Sequence, residues 1–208
     1  MRDKLLDYCG TDNPLQLKLR GGGVRRYHAE GRWIDQNVAE HTWRALVILL
    51  HLWPASDAQT ILNLITHDIS EGYTGDIPAP VKRDPDTRSA VTFLESEFEV
   101  HLGLDRIDGP PDEVLHLKLA DYIEGALTCQ ELLGVHWRAA SIRDKFIEYI
   151  GKLLENASPR DRQLVNTLLV EQSLVTLQQI PLKPTRRTEH PAPFGYQKEV
   201  DPDDEIPL

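Results

Sequence analysis

The stretch that decides the reading is Thr66 to Lys82, THDISEGYTGDIPAPVK. It gathers His67, Asp68, Glu71, Asp76 and Lys82 directly after the apolar run Ile61, Leu62, Leu64, Ile65. A helix continued from Ile61 to Glu71 would set Glu71 one turn beyond His67 and Asp68, so that the three side chains share one stripe. Such a stripe is a metal site or a hydrogen-bonded polar seam. Imidazole beside carboxylate is a borderline-to-hard ligand pair, suited to zinc, manganese, cobalt or iron. A catalytic ion needs about three or four protein ligands and an open position for water. Further ligands must then come from other helices, and His41 and Asp121 are the candidates.

Working outward, 208 residues can bury roughly 70% of the surface that the unfolded chain exposes, enough for one core. The net charge of -10 and pI near 5.2 speak against a general nucleic-acid binder, which needs a basic face to displace counterions from phosphates. Small phosphorylated ligands remain compatible through local cations. Cys9 and Cys129 fit no metal spacing and make no disulfide framework, in keeping with a reducing cytoplasm. The best apolar run, Ala45 to Trp53, is interrupted by His51 and too short to span a bilayer, and the start MRDKLLDYCG has no long apolar segment. The expectation is a soluble cytoplasmic protein without a membrane partner.

Helical periodicity recurs along the chain. Gly21, Gly22 and Gly23 read as a flexible turn, since the run lacks the strand, helix and Lys-Ser or Lys-Thr pair of a phosphate loop. Asn37 is a plausible cap for a helix from Val38 to Leu52 that carries His41 in its first turn. Asp57 or Ser56 caps the helix leading to His67 and Asp68, which Gly72 and Gly75 stop. Tyr73 to Pro80 reads as a proline-stiffened loop presenting Asp76 and Lys82. Further helices are predicted over Thr87 to Leu102, from Pro110-Pro111 to about Leu133, from Trp137 to Ala157, and from Ser158-Pro159 towards Ile180. On the second of these, Val114, Lys118, Asp121 and Gly125 share a stripe. There Asp121 either pairs with Lys118 at the surface or points inward to the ion of His67, and periodicity does not choose. With no alternating β pattern, the chain reads as an all-α bundle, one domain over 1–180, followed by a Pro-rich acidic tail over 181–208 in which Phe194 and Tyr196 could dock.

The order His41, His67-Asp68, Asp121 resembles the H…HD…D signature of HD-domain metal-dependent phosphohydrolases. AEHTW around His41, HDISEGYTGDIPAPVK from His67 and LKLADYIEGAL around Asp121 resemble the 5'-deoxynucleotidase branch, and also the phage HD enzymes that remove triphosphate from dATP. The likeness covers roughly Val24 to Leu133. It implies a single-domain HD-type helical bundle in which His41, His67, Asp68 and Asp121 hold one divalent ion, Co2+, Mn2+ or Zn2+, with Mg2+ also admissible. It also implies that Arg26 clamps phosphate, that Glu71 and Asp76 are the non-ligand acids for proton transfer and positioning, and that Lys82 and Lys118 contact phosphate. Tyr27 stands where an aromatic could wall the sugar.

The leading expectation is hydrolysis of a 2'-deoxynucleoside 5'-monophosphate to nucleoside and phosphate, in a bacterial or phage-infected cell. The alternative is cleavage of dATP at the same O5'–Pα bond with release of triphosphate. A non-catalytic nucleotide-binding regulator is a third reading. A two-metal HD oxygenase or cyclic-dinucleotide phosphodiesterase is a fourth, for which His101 and His116 would have to supply ligands. The partner expected is a small-molecule deoxynucleotide, not a nucleic-acid polymer. A spare apolar helix stripe would permit a homo-oligomer.

Overall fold

A computed structural model describes residues 13–27, 35–82, 84–104 and 111–176. The tail over 181–208, Ile180, Pro110 and Cys9 lie outside the described residues. The helices are α1 Pro14–Gly22, α2 Val38–Leu52, α3 Ala58–Thr66, α4 Glu71–Thr74, α5 Ala79–Lys82, α6 Pro85–His101, α7 Pro111–Glu131, α8 Ala139–Glu155 and α9 Pro159–Glu171. Among the described residues the one β-type pairing is an isolated bridge between Arg25 and Asn37. The all-α expectation therefore holds, and none of these helices is long and apolar enough to cross a membrane.

Local chemistry sets most helix starts. The Asn37 side chain accepts from the Glu40 N–H at 2.9 Å and Asp57 from the Thr60 N–H at 2.7 Å, each satisfying a donor that the first turn leaves free. Asp84 and Ser158 do the same, each followed by proline at the first helical position.

Two clusters of buried side chains follow. The larger joins α2, α3, α7, α8 and α9 through Leu49, Leu64, Ile123, Ile150 and Val165. Gly125 makes its closest join possible: a β-carbon there would lie 2.5 Å from Phe146 Cζ, so the α8 ring seats directly on the α7 backbone. Trp53 fixes α9 to the end of α2, its Nε1–H donating to Asp161 at 2.8 Å while its ring stacks on His116. The smaller cluster joins α1, α6 and the α3–α4 turn through Leu17, Phe98 and Leu102, with Ile69 and Tyr73 packed against it.

Two of the three glycines are helical, and the third, Gly23, turns the chain out of the helix. Gly21 and Gly22 end α1, and Gly21 abuts the turn after α3: a β-carbon on Gly21 would lie 2.5 Å from Ile69 O, and one on Gly72 would lie 2.8 Å from Gly21 Cα. Backbone meets backbone there because neither side carries a side chain. Gly21→Ala should destabilise the protein, by up to about 2 kcal/mol. The helix propensity it gains, about 1 kcal/mol, is outweighed by overpacking of about 1–3 kcal/mol against a carbonyl that cannot swing aside. An unchanged urea midpoint would contradict the contact.

Cys129 is fully buried on α7. Burial, then the neighbouring Glu124 charge, pushes its thiol up to about 12. Because the thiolate is the reactive form, Cys129 should resist a thiol reagent at pH 8 in the native protein and react once denaturant is added. Mass mapping of the labelled peptide checks this.

Candidate metal and phosphate site

The site lies on the seam between the two clusters. His41 comes from the first turn of α2 and Asp121 from the middle of α7, both helices of the larger cluster. His67 and Asp68 lie in the turn that follows α3, and Glu71 opens α4.

The helix expected through Glu71 stops at Thr66. Competing hydrogen bonds explain the stop. His67 Nδ1 takes the Leu64 carbonyl at 2.6 Å, and Thr66 Oγ1 takes that of Leu62 at 2.9 Å. The chain then winds tightly, with Ile69, Glu71 and Gly72 N–H groups donating three residues back. The segment Tyr73 to Pro80, expected as loop, is also helical at both ends, because α4 ends at Thr74 and α5 begins at Ala79. Its irregular part is Gly75 to Pro78, opened by Gly75 at φ 74.

His41, His67 and Asp68 each offer a ligand atom within 4.8 Å of the others, and among the described residues they form the group of this kind. His41 Nε2 stands 3.4 Å from His67 Nε2 and 3.7 Å from Asp68 Oδ2, and His67 Nε2 stands 3.2 Å from the same oxygen. Asp121 lies outside that tightest trio but reaches both imidazoles, 3.0 Å to His41 Nε2 and 3.8 Å to His67 Nε2. The inward-pointing account of Asp121 is thus the one its geometry matches, since Lys118 stands exposed one turn away.

The protonation pattern tests whether these residues fit a cation. His41 Nδ1 faces the Glu124 carboxylate at 2.5 Å, and His67 Nδ1 faces a carbonyl, so both Nδ1 atoms carry the hydrogen. With Nδ1 so engaged, both rings turn Nε2 towards one another, beside oxygens of Asp68 and Asp121. Four such atoms crowded together call for a cation or a proton between them. The donor set, imidazole plus carboxylate with the second ring nitrogen anchored, is that of a divalent transition-metal site. With no ion bound, a proton fills the role. Burial pulls the His67 imidazole down, but the Asp68 carboxylate, with help from Asp121, overrides it and carries the group up to about 9. Burial raises Asp68 in turn, yet His67, Arg26 and His41 hold it well below the usual carboxylate range.

Cationic and acidic groups border this cluster. Arg26 is nearly buried; burial opposes its charge, but Tyr27, Asp68, Asp121 and Glu124 around it hold the guanidinium more firmly charged than usual. Its Nη1 atom is buried without a hydrogen-bond partner, as is Glu71 Oε2. Burial, followed by repulsion from Asp68 and Asp76, pushes Glu71 up to about 9 against the pull of Lys82 and Arg26, so Glu71 holds a proton at neutral pH. Lys82 Nζ lies 4.0 Å from Glu71 Oε1 and 3.9 Å from Glu95 Oε1.

Asp76 acts on backbone. Its Oδ2 accepts the Tyr27 N–H at 2.8 Å. Tyr27 is buried at φ 57, a left-handed conformation that costs a bulky residue on the order of 1 kcal/mol or more and persists when its surroundings hold it. The bond from Asp76 is one such restraint, and it fixes the turn that aims Arg26.

Sequence reasoning missed Glu124. It is fully buried in the apolar run LADYIEGALTC, one turn after Asp121. A carboxylate in mid-core at that spacing was the available signal. His116, weighed above as a second-metal ligand, is occupied elsewhere, stacked on Trp53 and 3.4 Å from Asp161.

Comparison with known proteins adds to this geometry. Residues 23–97 match the HD-domain family model. A dATP triphosphohydrolase of Salmonella phage PMBT28 is 25% identical over 158 residues, 68% of this chain and 80% of that protein. Among solved structures, the cyanophage S-2L HD phosphohydrolase DatZ, bound to dA and one catalytic Zn2+ ion, matches with a TM-score of 0.63 at 20% identity. That match covers 76% of this chain and 95% of DatZ, a likeness of fold.

Proposed function

We propose, from the match of residues 23–97 to the HD-domain family model, that this chain is a metal-dependent deoxynucleotide phosphohydrolase that cleaves the O5'–Pα bond of dATP. The observation that carries the reading is the cluster of four ligand atoms with both imidazole Nε2 lone pairs turned inward, bordered by the unpartnered Arg26 Nη1. His41, His67, Asp68 and Asp121 would hold one divalent ion. The phage relative's name favours the triphosphate over the monophosphate that the sequence alone put first.

When bound, such an ion polarises a phosphoryl oxygen and lowers the pKa of water from 15.7 towards ~7. The chain's own residues supply the rest. Arg26 offers a desolvated, permanently charged donor to the phosphate oxygens, whose charge spreads in the transition state. Glu71 carries a proton that the departing O5' requires. Asp76 keeps the Arg26–Tyr27 turn in place, and the Tyr27 ring borders the same turn. Lys82, and Lys118 from α7, would meet the outer phosphates, for which a triphosphate has the use and a monophosphate does not.

The test is to incubate the protein with dATP and, separately, with dAMP in the presence of Zn2+, Mn2+ or Co2+, following triphosphate and inorganic phosphate. Triphosphate and deoxyadenosine from dATP are expected. Phosphate from dAMP with dATP left intact would replace this reading by that of a 5'-deoxynucleotidase. Hydrolysis of neither would favour a nucleotide-binding regulator.

A further inference from the structure

We infer that Glu124 is a positioning residue that couples the metal end of the site to its phosphate end, and that Arg44 holds it in place from outside. The inference rests on the proposed metal site and concerns residues that play no part in the ligand set.

Glu124 is fully buried, and its two oxygens are divided between two tasks. Oε2 takes the Nδ1 hydrogen of His41 and lies 3.6 Å from Arg26 Nη1, so a single oxygen faces both a metal ligand and the phosphate cation. Oε1 is fixed from behind: Gln36 Nε2 donates at 2.9 Å, Thr128 Oγ1 at 2.6 Å and Arg44 Nε at 2.9 Å. Arg44 is itself gripped at the surface by both oxygens of Glu131, at 2.7 and 3.3 Å. Gln36 closes the circuit through backbone, its carbonyl accepting the Arg26 N–H at 3.0 Å.

Two consequences follow from this arrangement. A carboxylate on Nδ1 fixes the tautomer of His41 and raises the basicity of Nε2, which strengthens its bond to a cation. The same negative charge balances the Arg26 guanidinium without forming a close hydrogen bond to Nη1, leaving that atom for an incoming oxygen. An apolar residue in its place would serve neither end. The partners on Oε1 hold the carboxylate plane so that Oε2 can face both groups.

Glu124→Gln tests this, because it keeps the shape and removes the charge. Metal-stripped wild type and variant are titrated with Zn2+ against a chromophoric chelator, and the nucleotide KM is then measured at saturating metal. The expected result is a 10- to 100-fold weaker metal Kd together with a raised KM, in a protein whose circular dichroism and cooperative melt match the wild type. Unchanged metal affinity in that folded variant overturns the inference. Should E124Q fail to fold, Arg44→Met decides. Arg44 is partly exposed and outside the ligand set, and its loss should weaken the metal Kd by several-fold, so an unaltered Kd there overturns the inference as well. The readings fail separately. A wild type that binds Zn2+ but hydrolyses neither dATP nor dAMP sinks the proposed reaction and leaves the Kd comparison valid. A wild type that takes up no ion sinks the metal site.

Discussion

Asp68→Ala should lose turnover by about 10^3-fold or more, equivalent to roughly 4 kcal/mol of transition-state stabilisation, and should purify with far less bound metal than the wild type. Asp68 is one of three residues in the tight group, and its oxygen reaches both imidazoles. On the proposed reading its loss removes a metal ligand, and with it goes the charge that raises His67 when no ion is bound. The fold should survive the change. A buried carboxylate normally leaves a stranded cation behind when deleted, at about 3–5 kcal/mol, but His67 can release its proton and become neutral. Arg26 keeps Asp121 and Glu124 as neighbours. Activity and metal content should therefore fall together while the melting temperature of the metal-free protein changes little. Hydrolysis at the original rate in this variant would mean that the reaction occurs elsewhere on the chain.

What could be read from the sequence was local. The Asn37 and Ser158 caps and the amphipathic helix from Val38 to Leu52 depend on near neighbours and periodicity, and they are found where the spacing put them, although the last helix stops at Glu171, short of the Ile180 expected. What could not be read depends on contacts between distant segments. Gly21 looks like a turn residue until the carbonyl of Ile69 is seen against it, and the close approach of these backbones has no signature in either segment alone. The end of α3 at Thr66 was hidden for the same kind of reason, since His67 competes for the Leu64 carbonyl through its side chain. The resemblance makes Asp76 an acid for the chemistry, and nothing near it in the sequence announces its bond to the Tyr27 N–H, 49 residues earlier. Glu124 was passed over because a carboxylate inside an apolar stripe gives no indication of which groups surround it.

Glu71→Gln should produce a far less active protein that withstands alkaline conditions better than the wild type. Glu71 is buried beside Asp68 and Asp76, and its carboxyl is pushed up to about 9 from an ordinary value near 4.5. Between those values the folded protein binds a proton that the unfolded chain has released, so the stability of the metal-free protein falls as pH rises, by up to about 1.4 kcal/mol per unit. Glutamine has no proton to lose and is already neutral, so the melting temperature of E71Q should vary less between pH 5 and 9, measured in the presence of a chelator. On the proposed reading the same substitution deprives the leaving oxygen of its proton source, a loss of about 10^2- to 10^4-fold in kcat. The wild-type rate should fall on the alkaline side as Glu71 ionises, and the residual rate of E71Q should lack that limb. Because the buried acid is destabilising as well as useful, the two measurements should move in opposite directions. If E71Q were both inactive and less stable at pH 8 than the wild type, Glu71 would be a structural group and not the proton donor.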